Sequence, residues 1–219
     1  MVILQDENEN MLSFKNFNKF YNNICILEIE NLFLGEGVYW VKGINGSGKS
    51  TLLKSVAGII SFKGEILLNE KISINKHPVA YRRLVNFAEA EPIFPDFLRG
   101  RDLIQLFLAS KKAVKNQENS LLENMQMSGY IDQPIRTYSS GMLKKLSLVL
   151  AFLGKPDLIL LDEPLITLDK KSVETLYQWI SESHKKTGVN FLITSHQPLE
   201  AAVLSYTQTI QVTERKLTN

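Results

Sequence analysis

Residues 43–51, Gly-Ile-Asn-Gly-Ser-Gly-Lys-Ser-Thr, constrain the fold of this chain more than any other stretch. They fit the pattern of a glycine, four residues, then Gly-Lys-Ser/Thr, and the flanks suit that pattern. Val38-Tyr39-Trp40-Val41 before it is β-branched and aromatic, the composition of a buried strand. After it, Leu52, Leu53 and Val56 recur at helical spacing until Gly58 supplies a stop. Glycines let a turn curl its amide N–H groups inward around a polyphosphate, and the start of a helix adds partial positive charge. Gly43, Asn45, Gly46, Ser47, Gly48 and Thr51 are therefore candidate phosphate contacts. Lys49 is placed to reach the β- and γ-phosphates of a nucleotide, and the Ser50 hydroxyl to ligate Mg²⁺.

Composition narrows the rest. The chain of 219 residues, 44% hydrophobic, is long and apolar enough for one domain with its own core. Its 25 basic and 23 acidic residues leave +2, with no long Lys/Arg cluster, so nucleic-acid binding by bulk charge is not expected. Lys111-Lys112 with Lys115, and Lys144-Lys145, read as solvated helix faces. Cys25, the one cysteine, excludes an intramolecular disulfide or a thiolate metal cluster and reads as a packing residue. Asp6, Glu7 and Glu9 stand where a secretory signal would be basic. No apolar run approaches the ~20 residues that span a bilayer. The expectation is a cytoplasmic protein whose membrane anchor, if it has one, is supplied by another chain.

Strand patterns fall at Met11–Phe17, Ile24–Ile29, Leu84–Ala88, Asp157–Leu161 and Val189–Thr194, with a hairpin turning at Asn69-Glu70-Lys71 and a last, edge-like strand at Thr207–Thr213. Between Gly100 and Gly129 the spacing is helical, with Asn116–Asn119 as a polar link between two helices. Ser139 or Ser140 caps a third helix, Lys170–Lys186 forms another, and Pro198–Ser205 a short one. Strand–helix alternation at both ends of the chain, with helices inserted between, implies an α/β core carrying a small helical subdomain at about 92–150.

Leu158-Ile159-Leu160-Leu161 reads as a buried parallel strand delivering two acids, Asp162 and Glu163, at its C-terminal edge. In a chain with a phosphate loop, Asp162 is placed to hold Mg²⁺ and Glu163 to polarise an attacking water. Tyr138-Ser139-Ser140-Gly141-Met142 lies a little upstream. With these in view, the chain resembles the nucleotide-binding subunit of an ATP-binding-cassette (ABC) transporter, and the likeness runs in the family's motif order over nearly the whole length. Gly43–Thr51 resembles the Walker A motif, Leu158–Glu163 the Walker B, Tyr138–Met142 the signature, Leu168-Asp169 the D-loop, and His196 the switch histidine.

The resemblance implies a P-loop NTPase core of mainly parallel sheet flanked by helices. It adds an N-terminal antiparallel β subdomain and an inserted helical signature subdomain, all in one ABC ATPase domain over 1–219. It further implies a head-to-tail homodimer or heterodimer closing on two ATP molecules with Mg²⁺. Ser139 and Gly141 of one copy would contact the γ-phosphate held by the other, and Asp169 of the D-loop would be among the nucleotide-binding residues. Glu163, His196 and Lys49 would be the catalytic residues, and Tyr21 or Phe20 would stack on adenine. The partner implied is a transmembrane permease, with this chain peripheral on the inner face of the membrane. Ser140 and Met142 depart from the usual Leu-Ser-Gly-Gly-Gln signature, and the Tyr-Ser-x-Gly-Met form resembles that of bacterial exporters. The Q-loop glutamine is missing from Glu89-Ala90-Glu91-Pro92. Glu91 is a stand-in at the metal, with Ala90 filling the slot as the alternative. A soluble ABC ATPase of DNA repair or the ribosome, or a weakly hydrolysing regulator, are the other functional readings of the same motifs.

Overall fold

The computed structural model describes residues 10–196, 199 and 207–218. Apart from Leu199, the short helix expected at Pro198–Ser205 lies outside them, as do Asp6, Glu7 and Glu9.

The chain opens with two antiparallel strands, β1 (Leu12–Tyr21) and β2 (Ile24–Leu34), joined by a two-residue turn in which Asn22 and Asn23 both take positive φ. Asparagine tolerates that conformation, and two such residues match the natural twist of a hairpin. After β3 (Val38–Lys42) and α1 (Lys49–Val56), the strands β4 (Lys63–Leu68) and β5 (Ile72–Ser73) return to β1 and complete a four-stranded antiparallel sheet ordered β2-β1-β4-β5. Then α2 (Pro78–Leu84) leads into β6 (Val85–Ala88).

Three helices follow before the next strand: α3 (Gly100–Ser110), α4 (Gln117–Asn124) and α5 (Ser140–Ala151). Alternation resumes with β7 (Leu158–Leu161), α6 (Lys170–Thr187), β8 (Asn190–Thr194), β9 (Thr207–Thr213) and β10 (Lys216–Thr218). The second sheet has six strands in the order β10-β9-β3-β8-β7-β6, and only β10 runs antiparallel to its neighbour. The expected fold class, a mainly parallel sheet flanked by helices beside a smaller antiparallel sheet and a helical insertion, is the one found.

The parallel sheet is apolar on both faces because both are covered. Leu158, Leu160, Leu192, Tyr39 and Val41 join one core with Leu52, Leu53 and Val56 of α1 and with Phe14, Phe17 and Ile66 of the antiparallel sheet. The alternate residues Ile159, Leu161, Phe191, Ile193 and Val38 join another with Leu146, Val149 and Leu150 of α5 and Leu176 and Ile180 of α6. Period-two alternation thus splits four aliphatic residues of β7 evenly between two cores. The parallel strands end together on one edge, where their loops make the site.

Several sequence expectations change. The residues read as a polar link, Asn116–Asn119, instead begin α4 at Gln117, and the link is 111–116. The strand Thr207–Thr213 is not an edge: β10 folds back on it through Glu214 and Arg215, and Arg215 O accepts a hydrogen bond from Glu28 N at 2.7 Å. Lys144-Lys145 are not a solvated face either. Lys144 is 1% exposed, and Lys145 is largely covered and pairs with Asp169 at 2.7 Å. Lys111 is half-buried, donating to Val85 O at 3.0 Å and to Arg82 O, while Lys112 and Lys115 are exposed as expected. Burial pushes the Lys111 ammonium down to about 8.

Asn86 joins the helical insertion to the sheet. It is 2% exposed, and its amide donates to Ala151 O at 2.7 Å and Leu153 O at 2.8 Å, satisfying carbonyls at the C-terminal end of α5. Asn86→Ala leaves two buried carbonyls without these donors, a cost of about 1–3 kcal/mol. We expect the urea midpoint to fall with an unchanged slope, and a midpoint equal to the parent's removes this side chain from the fold's support.

Candidate nucleotide site

The loop between β3 and α1 is shaped by its glycines. Gly46 and Gly48 have φ of +77° and +107°, and a Cβ on Gly48 would sit 3.1 Å from Leu27 Cγ, so the loop lies flat on β2. Gly48 is also the residue that starts α1, which has no side-chain cap and no acid in its first turn. The helix therefore presents its N-terminal partial positive charge to whatever the loop encloses. Lys49, 6% exposed, bends back over the loop and donates to Gly43 O at 2.8 Å and Ile44 O at 3.1 Å. The Ser47 hydroxyl oxygen is buried without a hydrogen-bond partner.

The acids arrive from β7. Asp162, 2% exposed, accepts through Oδ1 from Ser50 Oγ at 3.1 Å and from Thr194 Oγ1 at 2.7 Å. Thr194 Oγ1 in turn accepts from Glu163 N at 2.9 Å. Glu163, at φ +44°, turns its carboxylate toward the switch position: His196 N donates to Oε2 at 3.1 Å, and His196 Nε2 lies 3.2 Å from Oε1. A cleft of about 430 Å³ collects Asn45, Gly46, Gly48, Lys49, Ser50 and Thr51 on one side, Glu163 and His196 on another, and Tyr21 with Ile26 at its mouth. Tyr21 is 46% exposed with Lys19 Nζ 4.5 Å from its ring centre. Phe20, the alternative by spacing, does not line the cleft.

Other expected site residues are placed elsewhere. Ser139 caps α5, its Oγ accepting from Met142 N at 3.3 Å, and it stands exposed outside this cleft with Gly141 beside it. A Cβ on Gly141 would come 2.9 Å from Thr167 O, so the signature turn rests on the backbone just before Asp169. Asp169 caps α6 through Ser172 N and pairs with Lys145, which holds its carboxyl down at about 2. Glu91 is exposed and does not line the cleft. The acid of that loop which reaches the phosphate-loop helix is Glu89, 2.6 Å from Lys54 Nζ on α1.

Two contributors were invisible in the motifs. Thr194 supplies the hydroxyl that joins Asp162 to Glu163, and only its place at the end of an apolar strand hinted at it. Lys144 Nζ donates to Glu89 O at 2.8 Å and Ala90 O at 2.6 Å and lies 3.4 Å from Asp162 O. Burial pushes its ammonium down to about 8, with the nearby carboxylates of Asp162, Glu163, Glu91 and Glu89 opposing that fall.

The donor set suits Mg²⁺, a hard cation that takes oxygen ligands from one or two protein groups and completes its shell with water and phosphate. Ser50 Oγ and the Asp162 carboxylate are such oxygens, already converged. Among the described residues no group of three His, Cys, Asp or Glu could form a dedicated metal cage.

Thr194→Val keeps the shape and removes the hydroxyl, leaving Glu163 N–H buried with no acceptor, which costs about 1–3 kcal/mol. Thermal unfolding should shift down by several degrees and Thr194→Ser should recover most of it; a Val variant as stable as the parent takes the hydroxyl out of this network.

Comparison with known proteins identifies the family. Residues 32–166 match the ABC transporter family. Among curated proteins, the glucosylceramide transporter ABCA12 of Mus musculus is 30% identical over 198 residues, a span covering 87% of this chain and 8% of that much longer protein. Among solved structures, an ATP-binding subunit of an ABC transporter superposes with a TM-score of 0.83 at 23% identity, covering 94% of this chain and 88% of the other. A dimeric ATP-binding cassette in a post-hydrolysis state, bound to ADP and Pi, superposes with a TM-score of 0.77 at 19% identity, covering 95% and 97%. The chain belongs to the ABC transporter family, as a nucleotide-binding domain of the ABC ATPase fold.

Proposed function

We propose that this chain is a single ABC ATPase domain that binds and hydrolyses Mg·ATP in a head-to-tail dimer and so drives a separate membrane-spanning subunit, in the direction of export. The observation that carries the chemistry is the convergence of Ser50, Glu163 and His196 on the cleft lined by the phosphate loop, with Asp162 hydrogen-bonded to Ser50. ATP would lie along that loop with its adenine against Tyr21 and its terminal phosphates toward Lys49. Ser50 and Asp162 would hold Mg²⁺, which when bound neutralises charge on the β- and γ-phosphate oxygens. Glu163 accepts the proton of the attacking water, and His196 fixes the rotamer of that carboxylate through its backbone N–H, with its ring 3.2 Å from the other oxygen. Catalysis is mostly positioning and charge compensation.

Ser139 and Gly141, outside the cleft of their own chain, are free to complete the cleft of a second copy, and the dimeric neighbour supports that assembly. No helix among the described residues is long and apolar enough to cross a membrane, and the membrane-spanning part is proposed as a separate subunit. Ile93 and Phe97, 90% and 82% exposed on the proline-rich loop, are proposed as its dock; Phe94 and Leu98 pack inward on the helical core. Export rests on the Tyr-Ser-Ser-Gly-Met form of the signature.

Glu163→Gln should bind ATP as the parent does, lower turnover by about a hundredfold or more, and accumulate ATP-bound dimers on size exclusion. Turnover near the parent's strips Glu163 of its role. Lys49→Ala should lose nucleotide affinity in a fluorescent-analogue titration, and unchanged affinity refutes the phosphate-loop assignment.

A further inference from the structure

Next to the cleft, one buried cation makes its hydrogen bonds to main-chain oxygens, with the carboxylates of Asp162, Glu163, Glu91 and Glu89 nearby. Lys144 sits in the second turn of α5, 1% exposed, and its ammonium faces only main-chain oxygens: Glu89 O at 2.8 Å, Ala90 O at 2.6 Å and Asp162 O at 3.4 Å. These carbonyls lie just beyond the C-terminal ends of two adjacent parallel strands, β6 and β7, and one of them, Asp162 O, belongs to a residue of the site. The next residue, Lys145, pairs at 2.7 Å with Asp169, which caps α6. From the opposite direction, Lys54 of α1 grips the Glu89 side chain at 2.6 Å. Thus the loop after β6 is held by its backbone and by Glu89 between α1 and α5.

We infer that Lys144 is a positioning residue, which fixes the loop after β6 and the Asp162–Glu163 turn to the helix headed by Ser139. Any movement of α5 then displaces both the loop and the backbone carrying Asp162, because three carbonyls share one ammonium. A helix that only packed against the sheet through apolar side chains could slide without moving these carbonyls, since such contacts are non-directional. Hydrogen bonds to a single buried donor are directional; those to Glu89 O and Ala90 O are short and the one to Asp162 O is longer, so displacement of the helix reaches both segments. The inference rests on the proposed ATPase reading for its functional consequence, and on the geometry alone for its structural one.

The test uses the full chain. Lys144→Met keeps the volume and apolar stem and removes the donors; Lys144→Arg keeps charge and donors. By hydrogen exchange without nucleotide, Lys144→Met should raise amide exchange at 89–91 and 162–167 by about tenfold, with α1 and the antiparallel sheet unchanged. Lys144→Arg should bring both segments most of the way back. Should the Met variant fail to fold, Lys144→Gln, which retains a shorter donor, takes its place with the same expectation. Exchange unchanged in both segments overturns the inference, and so does a rise spread evenly through the molecule, which marks a structural lysine only. In ATP turnover, the Met variant should lose about tenfold in kcat with KM within about threefold, because misplacement of the acids harms the reacting geometry more than binding. A raised KM with unchanged kcat contradicts it. A parent chain that neither binds nor turns over ATP removes the proposed function, while the exchange result still decides the role of Lys144.

Discussion

The site depends on one carboxylate oxygen. Asp162 Oδ1 takes hydrogen bonds from Ser50 on α1 and Thr194 on β8 while its own backbone ends β7, so three elements meet at one atom. A carboxylate this buried is tolerated only when hydrogen-bonded, and two hydroxyls meet that need without neutralising it. The same Thr194 oxygen accepts from Glu163 N, so the strain of a glutamate at φ +44° is held in place by the network that orients Asp162. Strain of this kind, of order 1–3 kcal/mol, persists where surrounding structure over-determines it, and it tends to gather at functional turns.

That arrangement explains which features could be read in advance. The phosphate loop, the acids after β7 and the strand pattern around them were legible because backbone curvature and strand burial demand particular residues at fixed local spacing. The helical insertion was legible in outline from its apolar period. What escaped depends on neighbours distant in sequence. Lys144 and Lys145 look solvated in a string of letters, but the loop after β6 covers the first and Asp169 pairs with the second; lysine's long apolar stem makes either outcome available. Thr194 is one more β-branched residue in a strand until Asp162 is brought beside it. The turn at Glu214 and Arg215 carries two positive φ values on residues that give no turn signal, which hid β10 and made β9 look like an edge. Gln117 and Glu118 resemble a linker, yet an acid in the first turn favours a helix start. In the loop after β6 no periodicity fixes which side chain faces inward. Glu91 turned out exposed, and Glu89 met Lys54.

The charge at helix starts carries the argument for two copies. α3 and α4 place Asp102 and Glu118 in their first turns, and α6 begins at Asp169, so each of these N-termini already has its negative partner. α1 and α5 have no acid in the first turn, and both begin at motif residues, Gly48 and Ser139. α2 also lacks one, but it begins at His77 with proline next, away from the cleft. The first of the two, α1, opens into the cleft beside Lys49. A triphosphate there also meets Glu163, a carboxylate whose repulsion the single lysine and one helix start must offset. The exposed start of α5 is the remaining uncompensated dipole among these motif helices, and it cannot serve its own cleft, which it does not line. In the proposed dimer it meets the γ-phosphate of the other copy, so closure and charge compensation become one event, and Lys144 ties that event to the acids that follow β7.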